Sequence, residues 1–255
     1  MSDANSSPAI VVVGATGGIG SALCRKLAKT GANLALAARD RSRLDALAQE
    51  LKAVPGCGQI EVSTIDATNS ASVDALFAEA IARFGTIHGA TNLVGSILLK
   101  PAHLTTDDEF ETTLNLNLRT AFYVLRAATK AMLSTGGSIV LASSVAAKIG
   151  LVNHEAIAAA KGGVNGLVLA AAATYASRNI RVNAVAPGLV RTPLAVKFTS
   201  NELALKASTA MHPLGRIGEP DDVAAAIAWL LDPSTTWVTG QIVGIDGGLG
   251  SVRNK

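Results

Sequence analysis

Apolar and polar segments alternate along the chain, and the apolar segments are of two kinds. Short runs of aliphatic residues, of which Ile10–Val13 is the first, predict strands buried on both faces, whereas longer amphipathic runs predict helices. The predicted strands are residues 10–13, 33–38, 60–65, 88–93, 138–142, 180–185 and 238–245. The predicted helices are residues 21–28, 44–51, 72–84, a long one capped at 105–108 that runs to about 133, 155–177 and 221–231.

This order of elements predicts the fold class. Strands that alternate with helices are typical of an α/β protein, in which the crossovers make the strands parallel and place helices on both faces of the sheet. No repeat or domain boundary interrupts the pattern, so residues 9–255 are predicted to form a single doubly wound domain. Residues 1–8 are small and polar; they predict a disordered tail and lack the apolar core of a signal peptide.

Composition narrows the classes of function. Apolar residues make up 49% of the 255 residues and charged residues 16%, as expected for a chain with a sizeable core. The net charge of +3 is small and the basic residues are scattered, which argues against a nucleic-acid partner. No stretch approaches the ~20 uninterrupted apolar residues of a membrane span. Cys24 and Cys57 have no metal-site spacing, and neither do His88, His103 and His212, so we expect a cytoplasmic protein without a metal site.

A glycine-rich turn joins the first predicted strand to the first predicted helix. Gly14, Gly18 and Gly20 lie in it, with Thr16 and Ile19 among the small residues between and beside them. A helix that begins directly after such a turn presents free backbone N–H groups to an anion, and the missing Cβ atoms let the backbone approach a diphosphate. Strand, turn and helix together therefore predict a dinucleotide site, while a tight turn without a ligand is the alternative.

The type of residue at the end of the second predicted strand indicates which of the two nicotinamide dinucleotides, NAD(H) or NADP(H), would bind. An acidic residue there binds a ribose 2′-hydroxyl, and a basic residue binds a 2′-phosphate. Ala38 ends the strand and Arg39 follows it, which favours NADP(H) over NAD(H). In the alternative interpretation Arg39 is a solvated charge held by Asp40, itself a suitable helix N-cap.

Four further features of the sequence indicate functional or structural roles. Asp66, at the end of the third strand, is placed to accept a hydrogen bond from an adenine amino group or to cap the next helix. Asn117 is a polar residue inside an apolar helix and needs a partner, either functional or structural. The small residues of helix 155–177 favour burial against a second subunit, and the mixed composition of residues 192–211 is typical of a lid.

The motifs, in their order and spacing, resemble those of the short-chain dehydrogenase/reductase family from about residue 9 to residue 248. The matching positions are Gly14, Gly18, Gly20, Asp66, a variant of the family's Asn-Asn-Ala-Gly at 92–95, Asn117, Ser144, Lys161, Pro187, Gly188 and the Asp-Gly-Gly of 246–248. The resemblance implies a Rossmann-type sheet of about seven strands, a homotetramer formed through the two long central helices, and hydride transfer between a nicotinamide and a substrate carbonyl.

The resemblance also implies individual roles. Ser144 polarises the carbonyl, a tyrosine donates the proton, Lys161 lowers the pKa of that tyrosine and binds the nicotinamide ribose, and Asn117 holds a water in a proton relay. The residues expected to bind the cofactor are Gly14, Thr16, Gly18, Ile19, Gly20, Arg39, Asp66, Ala67, Asn92, Gly95, Lys161, Pro187, Gly188, Val190 and Thr192, the last of them at the nicotinamide carboxamide.

The chain departs from the family pattern at the tyrosine. Four residues before Lys161 the sequence has Ile157, which has no proton to give, and the spacing of 13 from Ser144 fits the family register. His154 lies one turn earlier on the same helical stripe, and histidine is a competent acid or base near neutral pH. Some enoyl-thioester reductases of the superfamily carry their tyrosine at that earlier position. Glu155 points about 100° away from His154 and is a weaker candidate.

The sequence therefore predicts an NADP(H)-dependent oxidoreductase of atypical active site, acting on a small-molecule carbonyl or activated alkene. Asn117, Ser144, His154 and Lys161 are the predicted catalytic residues. The alternative is a catalytically silent protein that still binds NADP(H), because a fold does not by itself imply activity.

Overall fold

The seven predicted strands lie side by side in one sheet. The structure is a computed structural model that describes residues 7–253; residues 1–6 of the predicted tail lie outside the described residues. The strands are Ala9–Val13 (β1), Asn33–Ala38 (β2), Ile60–Thr64 (β3), Gly89–Asn92 (β4), Gly137–Ala142 (β5), Ile180–Pro187 (β6) and Ile242–Ile245 (β7). Their order in the sheet is β3-β2-β1-β4-β5-β6-β7, and every neighbouring pair is parallel, which confirms the predicted doubly wound parallel sheet.

Helices cover both faces of the sheet. Successive residues of each strand point to opposite faces, and apolar side chains on both faces have to be buried. Val11 and Val13 of β1 pack into one core, and Ile10 and Val12 pack into the other. The helices are Gly18–Ala28 (α1), Arg41–Lys52 (α2), Ser70–Phe84 (α3), Asp107–Leu114 (α4), Thr120–Met132 (α5), Glu155–Tyr175 (α6), Val196–Thr199 (α7), Glu202–Met211 (α8) and Pro220–Leu231 (α9). α1, α2 and α9 fill one core, and α3, α5 and α6 fill the other.

The long helix predicted to run to about 133 is interrupted by a π-helical turn at Asn115–Arg119, between α4 and α5. It begins where predicted, at a capping box formed by Thr106 and Glu109. In the π turn, the side-chain amide of Asn117 donates to the Thr113 carbonyl, 2.9 Å away. The Asn117 side chain thus occupies a carbonyl that would accept a backbone N–H in a regular α-helix, and the turn widens. The widened turn places the Asn117 side chain in the interior.

The last strand is shorter than predicted, since β7 begins at Ile242 and not at Val238. Gly240 has a φ of +71°, which breaks the extended backbone, and the Val238 carbonyl accepts from the Asn183 side chain at 2.9 Å. Side-chain bonds, together with two backbone bonds that include the one from the Gly240 N–H to the Val182 carbonyl at 2.8 Å, therefore hold residues 238–241 to β6 without a regular ladder.

The apolar helix α6 packs against β6 and the π turn. A Cβ on Gly163 would lie 2.8 Å from a methyl carbon of Leu118, so any larger residue here would require the Leu118 side chain to move. By length and composition alone, Glu155–Arg178 would suit a membrane span, and 44% of its most apolar window is buried within the chain. On its outer side Gly162 and Gly166 face open space, and Leu169 is 56% exposed.

Candidate functional site

A cleft of about 590 Å³ opens at the carboxyl ends of β1, β2, β3 and β4. Its walls come from the glycine turn after β1, from the residues that follow β2, β3 and β4, and from Pro193 and Leu194 of the predicted lid. In open α/β sheets ligands bind at this edge, where the strand order reverses, and β1 lies at that reversal.

The glycine turn is shaped for close backbone contact. Gly14 has a φ of +87°, and its backbone N–H donates to the Ala37 carbonyl at 2.8 Å. A Cβ on Gly20 would lie 2.2 Å from the Gly14 carbonyl oxygen, so only glycine fits there. Within the described residues no side chain caps α1, and its first turn has no acidic residue. The N-terminal N–H groups therefore remain available to an anion, which suits the diphosphate of a dinucleotide.

Two arginines line this cleft beside the carboxyl end of β2, where the sequence predicts the adenosine ribose. Arg39 is exposed at the end of β2, and Asp40 does not hold it: the Asp40 carboxylate caps α2, accepting from the Arg43 backbone N–H at 3.1 Å. The Arg43 guanidinium also lines the cleft and donates to the Thr16 carbonyl at 2.6 Å. Sequence reasoning did not select Arg43, although the basic cluster 39–43 was the available signal.

Asp66 lines the cleft at the end of β3 and does not cap α3, whose N-cap is Asn69. Hydrogen bonds from the Thr68 hydroxyl and backbone N–H hold the pKa of the Asp66 carboxyl below its usual range, so it is ionised and accepts hydrogen bonds. Ala67 lies beside it in the same wall. The capping alternative for Asp66 is therefore wrong, and its second oxygen remains available to a ligand.

The segment after β4 links the cleft to the polar interior. Asn92 is buried, donates to the Thr120 hydroxyl at 3.0 Å and accepts from the Val94 N–H at 3.3 Å. The Asn117 amide holds Ser96 at two points: its Nδ2 donates to the Ser96 hydroxyl at 2.9 Å, and its Oδ1 accepts the Ser96 N–H at 3.2 Å. The Asn117 side chain therefore has a structural role: both of its Nδ2 hydrogens are used, by Ser96 and by the Thr113 carbonyl, and only the second lone pair of Oδ1 is left to accept from a water.

Lys161 is a buried amine next to this segment. A Cβ on Gly95 would lie 2.8 Å from Asn117 Oδ1 and 3.6 Å from Lys161 Nζ, so Gly95 lies between the two side chains. The lysine Nζ donates to the Ala142 carbonyl at 2.8 Å, and its remaining hydrogens are available for ribose hydroxyls. Burial lowers the pKa of Lys161 from 10.5 to about 8, because the charged form is poorly solvated.

Replacing Lys161 by methionine is expected to stabilise the fold at pH 7 while removing its role at the site. The folded pKa lies below the unfolded one, so between pH 8 and 10.5 the unfolded chain binds a proton that the native chain has lost, and native stability rises with pH. The variant should thus gain about 2–3 kcal/mol at pH 7, and the gain should shrink toward pH 10. Urea unfolding at both pH values measures it; a pH-independent loss of stability would contradict the assignment.

The two serines after β5 differ in their partners. Ser143 is buried and donates to Asn165 Oδ1 at 2.6 Å, which gives it a structural role. The Ser144 hydroxyl is half-buried and accepts from the Ala146 N–H at 3.2 Å. Among residues 7–253 no acceptor for the Ser144 O–H lies within hydrogen-bond distance, so that proton is available to a carbonyl.

His154 is the N-cap residue of α6, and Ile157 is buried in its first turn. The His154 Nδ1 lies 2.7 Å from the Val152 carbonyl, which only accepts, so Nδ1 carries a proton and Nε2 is left for a ligand. Asn153 adopts a φ of +63°, and its carbonyl accepts from the Lys100 N–H at 2.8 Å, which ties the turn to the loop after β4. The Glu155 carboxylate accepts from the Ala102 N–H at 3.4 Å and supports the same loop.

The segment after β6 completes the predicted set of residues. Gly188 donates to the Ile245 carbonyl at 3.1 Å, and Val190 pairs with Gly218. Thr192 packs on the glycine turn: a Cβ on Gly18 would lie 2.9 Å from its methyl carbon. The structure thus brings Thr192, predicted to contact the nicotinamide carboxamide, against the glycine turn after β1.

Known proteins resemble this chain in sequence and in fold. Residues 14–250 match the family model described as enoyl-(acyl carrier protein) reductase. The 3-oxoacyl-(acyl-carrier-protein) reductase of Thermotoga maritima is 33% identical over 242 residues, which are 94% of this chain and 96% of the relative. A short-chain type dehydrogenase/reductase from Mycobacterium ulcerans superposes with a TM-score of 0.92 at 30% identity, covering 96% of this chain and 90% of that one.

A third relative is the actinorhodin polyketide ketoreductase, solved with NADPH. Its TM-score is 0.89 at 31% identity, covering 96% of this chain and 98% of that chain. These relatives are reductases and dehydrogenases, and the match spans nearly the whole chain. The protein belongs to the short-chain dehydrogenase/reductase family of oxidoreductases.

Proposed function

We propose that the protein is an NADP(H)-dependent oxidoreductase in which His154, and not a tyrosine, exchanges the proton with a carbonyl or activated alkene substrate. The observation that carries this proposal is the juxtaposition at the start of α6. His154 offers a ring nitrogen one turn before buried Ile157, and Ile157 lies one turn before Lys161. When bound, the nicotinamide supplies or accepts the hydride.

The basic residues at the ribose end support NADP(H). Arg39 and Arg43 both line the cleft, and the neighbouring carboxylate of Asp40 is turned to α2. Guanidinium groups suit a 2′-phosphate, whereas a free ribose hydroxyl calls for a carboxylate. The relative solved with NADPH accords with this choice.

Replacing Arg39 by alanine is expected to weaken NADPH binding about 10- to 100-fold and leave NADH binding nearly unchanged. The loss corresponds to one charge-assisted hydrogen bond to the 2′-phosphate. Titration of each nucleotide by protein fluorescence measures both constants, and Arg178→Ala, outside the cleft, is the matched control. Equal loss for the two nucleotides would overturn the assignment of Arg39 to the phosphate.

The remaining side chains have complementary roles in the proposal. The free Ser144 O–H polarises the substrate oxygen. Lys161 binds ribose hydroxyls through the hydrogens that Ala142 does not use. His154 Nε2, protonated in the imidazolium form, gives its proton to the developing alkoxide or carbanion, and in the reverse direction it takes the proton up.

A panel of ketones, aldehydes and enoyl thioesters, assayed with NADPH and with NADH, tests this function. Turnover of the oxo compounds would identify a carbonyl reductase, and turnover of the thioesters alone a double-bond reductase. The absence of a tyrosine at Ile157 favours a second candidate, a catalytically silent NADP(H)-binding protein. Tight NADPH binding without turnover of any substrate would support it.

We also propose a homotetramer assembled through α5 and α6. On α6, Gly162 and Gly166 face open space and Leu169 is 56% exposed; on α5, Phe122 is 44% exposed. Small and apolar side chains on a helix surface allow close packing of a second copy. Leu169→Glu is expected to shift the sedimentation profile from tetramer to smaller species, and an unchanged profile would contradict this interface.

A further inference from the structure

His212 is a buried histidine at the C-terminal end of the predicted lid. It follows α8 directly and is 2% exposed. Its Nδ1 lies 2.6 Å from the Ser208 carbonyl of α8, and its Nε2 lies 3.3 Å from the backbone N–H of Leu189, in the turn after β6. One ring therefore joins two segments that are 23 residues apart.

The two partners select a single protonation state. The Ser208 carbonyl only accepts, so Nδ1 must carry a proton, and the Leu189 N–H only donates, so Nε2 must be unprotonated. The neutral ring with its proton on Nδ1 satisfies both bonds. Asp246 lies on the other side of Gly188, and its carboxylate accepts from the backbone N–H groups of Gly248 and Gly250, each at 3.0 Å.

The ring lies against the segment predicted to hold the nicotinamide end of the cofactor. A Cβ on Gly188 would lie 2.5 Å from His212 Nε2, so glycine is required there by the histidine. Leu189 is fixed from its other side as well, because its carbonyl accepts from the Gly218 N–H at 2.8 Å. The peptide between Gly188 and Leu189 is thus held by His212 just before Val190 and Thr192.

The lid has few other attachments. Neither α7 nor α8 contributes a fully buried side chain, whereas Ala195, in the turn before α7, is buried. An element with little buried surface depends on its ends for its position. For α8 these ends are Asn201, which caps its start by accepting from the Ala204 N–H, and His212.

We infer that His212 is a positioning residue that couples the lid to the turn at Gly188–Thr192. Occupation of the nicotinamide end, which rests on the proposed function, orders this turn. Because the His212 ring is bonded both to the Leu189 N–H and to α8, an ordered turn holds α8 in place. The cofactor-bound protein therefore has a fixed lid when the substrate binds.

Two substitutions at position 212 each remove one of the two hydrogen bonds of the His212 ring and keep the other. In His212→Gln the side-chain amide reaches the position of Nε2 and retains an acceptor for Leu189, but it loses the bond to Ser208. In His212→Asn the amide reaches the position of Nδ1 and retains a donor for Ser208, but it loses the bond to Leu189. Asn201→Ala is the matched control, because it loosens the other end of α8 without touching the turn.

The experiment measures the Kd for NADPH and the protection of the lid by NADPH against trypsin, which cuts at the exposed Lys197 and Lys206. We expect His212→Asn to raise the Kd for NADPH about fivefold to tenfold and to lose most of the protection of the lid. For His212→Gln, both the Kd and the protection should stay within about twofold of the wild-type values. Asn201→Ala should be cut faster without nucleotide, yet keep a normal Kd and normal protection.

Equal effects of His212→Gln and His212→Asn on both readouts would overturn the coupling and leave His212 as a structural residue. Wild-type protein that binds NADPH without protecting its lid would overturn it too. A wild type that binds neither NADPH nor NADH would overturn the proposed function as well, so the two failures are distinguishable.

Discussion

Gly20→Ala is expected to abolish dinucleotide binding, with a loss of at least 100-fold in affinity for NADPH. The added Cβ would stand 2.2 Å from the Gly14 carbonyl oxygen and 3.0 Å from two backbone atoms of Ala15, and backbone atoms cannot move aside as a flexible side chain can. The turn must open or α1 must shift, and either change moves the free N–H groups away from the diphosphate. Fluorescence titration with NADPH measures the loss.

The control for this substitution is Gly150→Ala. Nothing lies within 4 Å of a Cβ at Gly150, and its φ is not in the left-handed region, so the same chemical change has no steric cost there. Circular dichroism shows whether each variant is folded. A folded Gly20→Ala protein that binds NADPH like the wild type would show that the glycine turn does not hold the dinucleotide.

The second large effect is expected at His154. His154→Ala should lower kcat about 100-fold or more, because a positioned acid contributes about 10²–10⁴ to a proton-transfer step. The KM for NADPH should change little, since the ring lies at the start of α6 and is not among the residues that line the dinucleotide cleft. Steady-state rates with the best substrate of the panel give kcat and KM separately.

Two further variants, His154→Asn and Ile157→Tyr, test whether the loss of activity comes from the missing proton donor. Asparagine retains a donor near the position of Nδ1 for the Val152 carbonyl, so the turn keeps its bond while Nε2 is lost. It should therefore lose as much activity as alanine. Ile157→Tyr in the His154→Ala background restores a hydroxyl one turn before Lys161, and we expect part of the activity to return. Full activity in His154→Asn would show that the histidine acts only through the Val152 contact.

Much of the fold could be predicted because the strands are apolar on both faces and are separated by amphipathic helices. β2 was predicted to the residue, since Asn33 and Ala38 bound a fully apolar run. Two of the departures from the prediction have local causes that periodicity does not reveal. The π turn depends on a side-chain bond from Asn117 to Thr113, and the late start of β7 depends on the positive φ of Gly240.

Positions of the candidate site could be predicted where a residue matters for the shape of the backbone. They could be predicted only in part where a residue matters for the side chains and backbone groups it contacts. The glycine turn was predicted from the strand before it and the helix after it, and Lys161 from the resemblance to the family. The choice for Asp66 between adenine and helix cap required the observation that Asn69 caps α3. Arg43 and His212 were not predicted as functional residues, because their roles come from contacts with the Thr16 carbonyl and the Leu189 N–H, far away in sequence.

The measurement that tests the account most directly is the initial rate of NADPH oxidation by the wild type and by His154→Ala, side by side on the same carbonyl and enoyl substrates. The account predicts wild-type turnover of at least one substrate class and a fall of about 100-fold or more in the variant. Equal rates in the two proteins would contradict His154 as the proton donor, and NADPH binding without any turnover would contradict the enzyme itself.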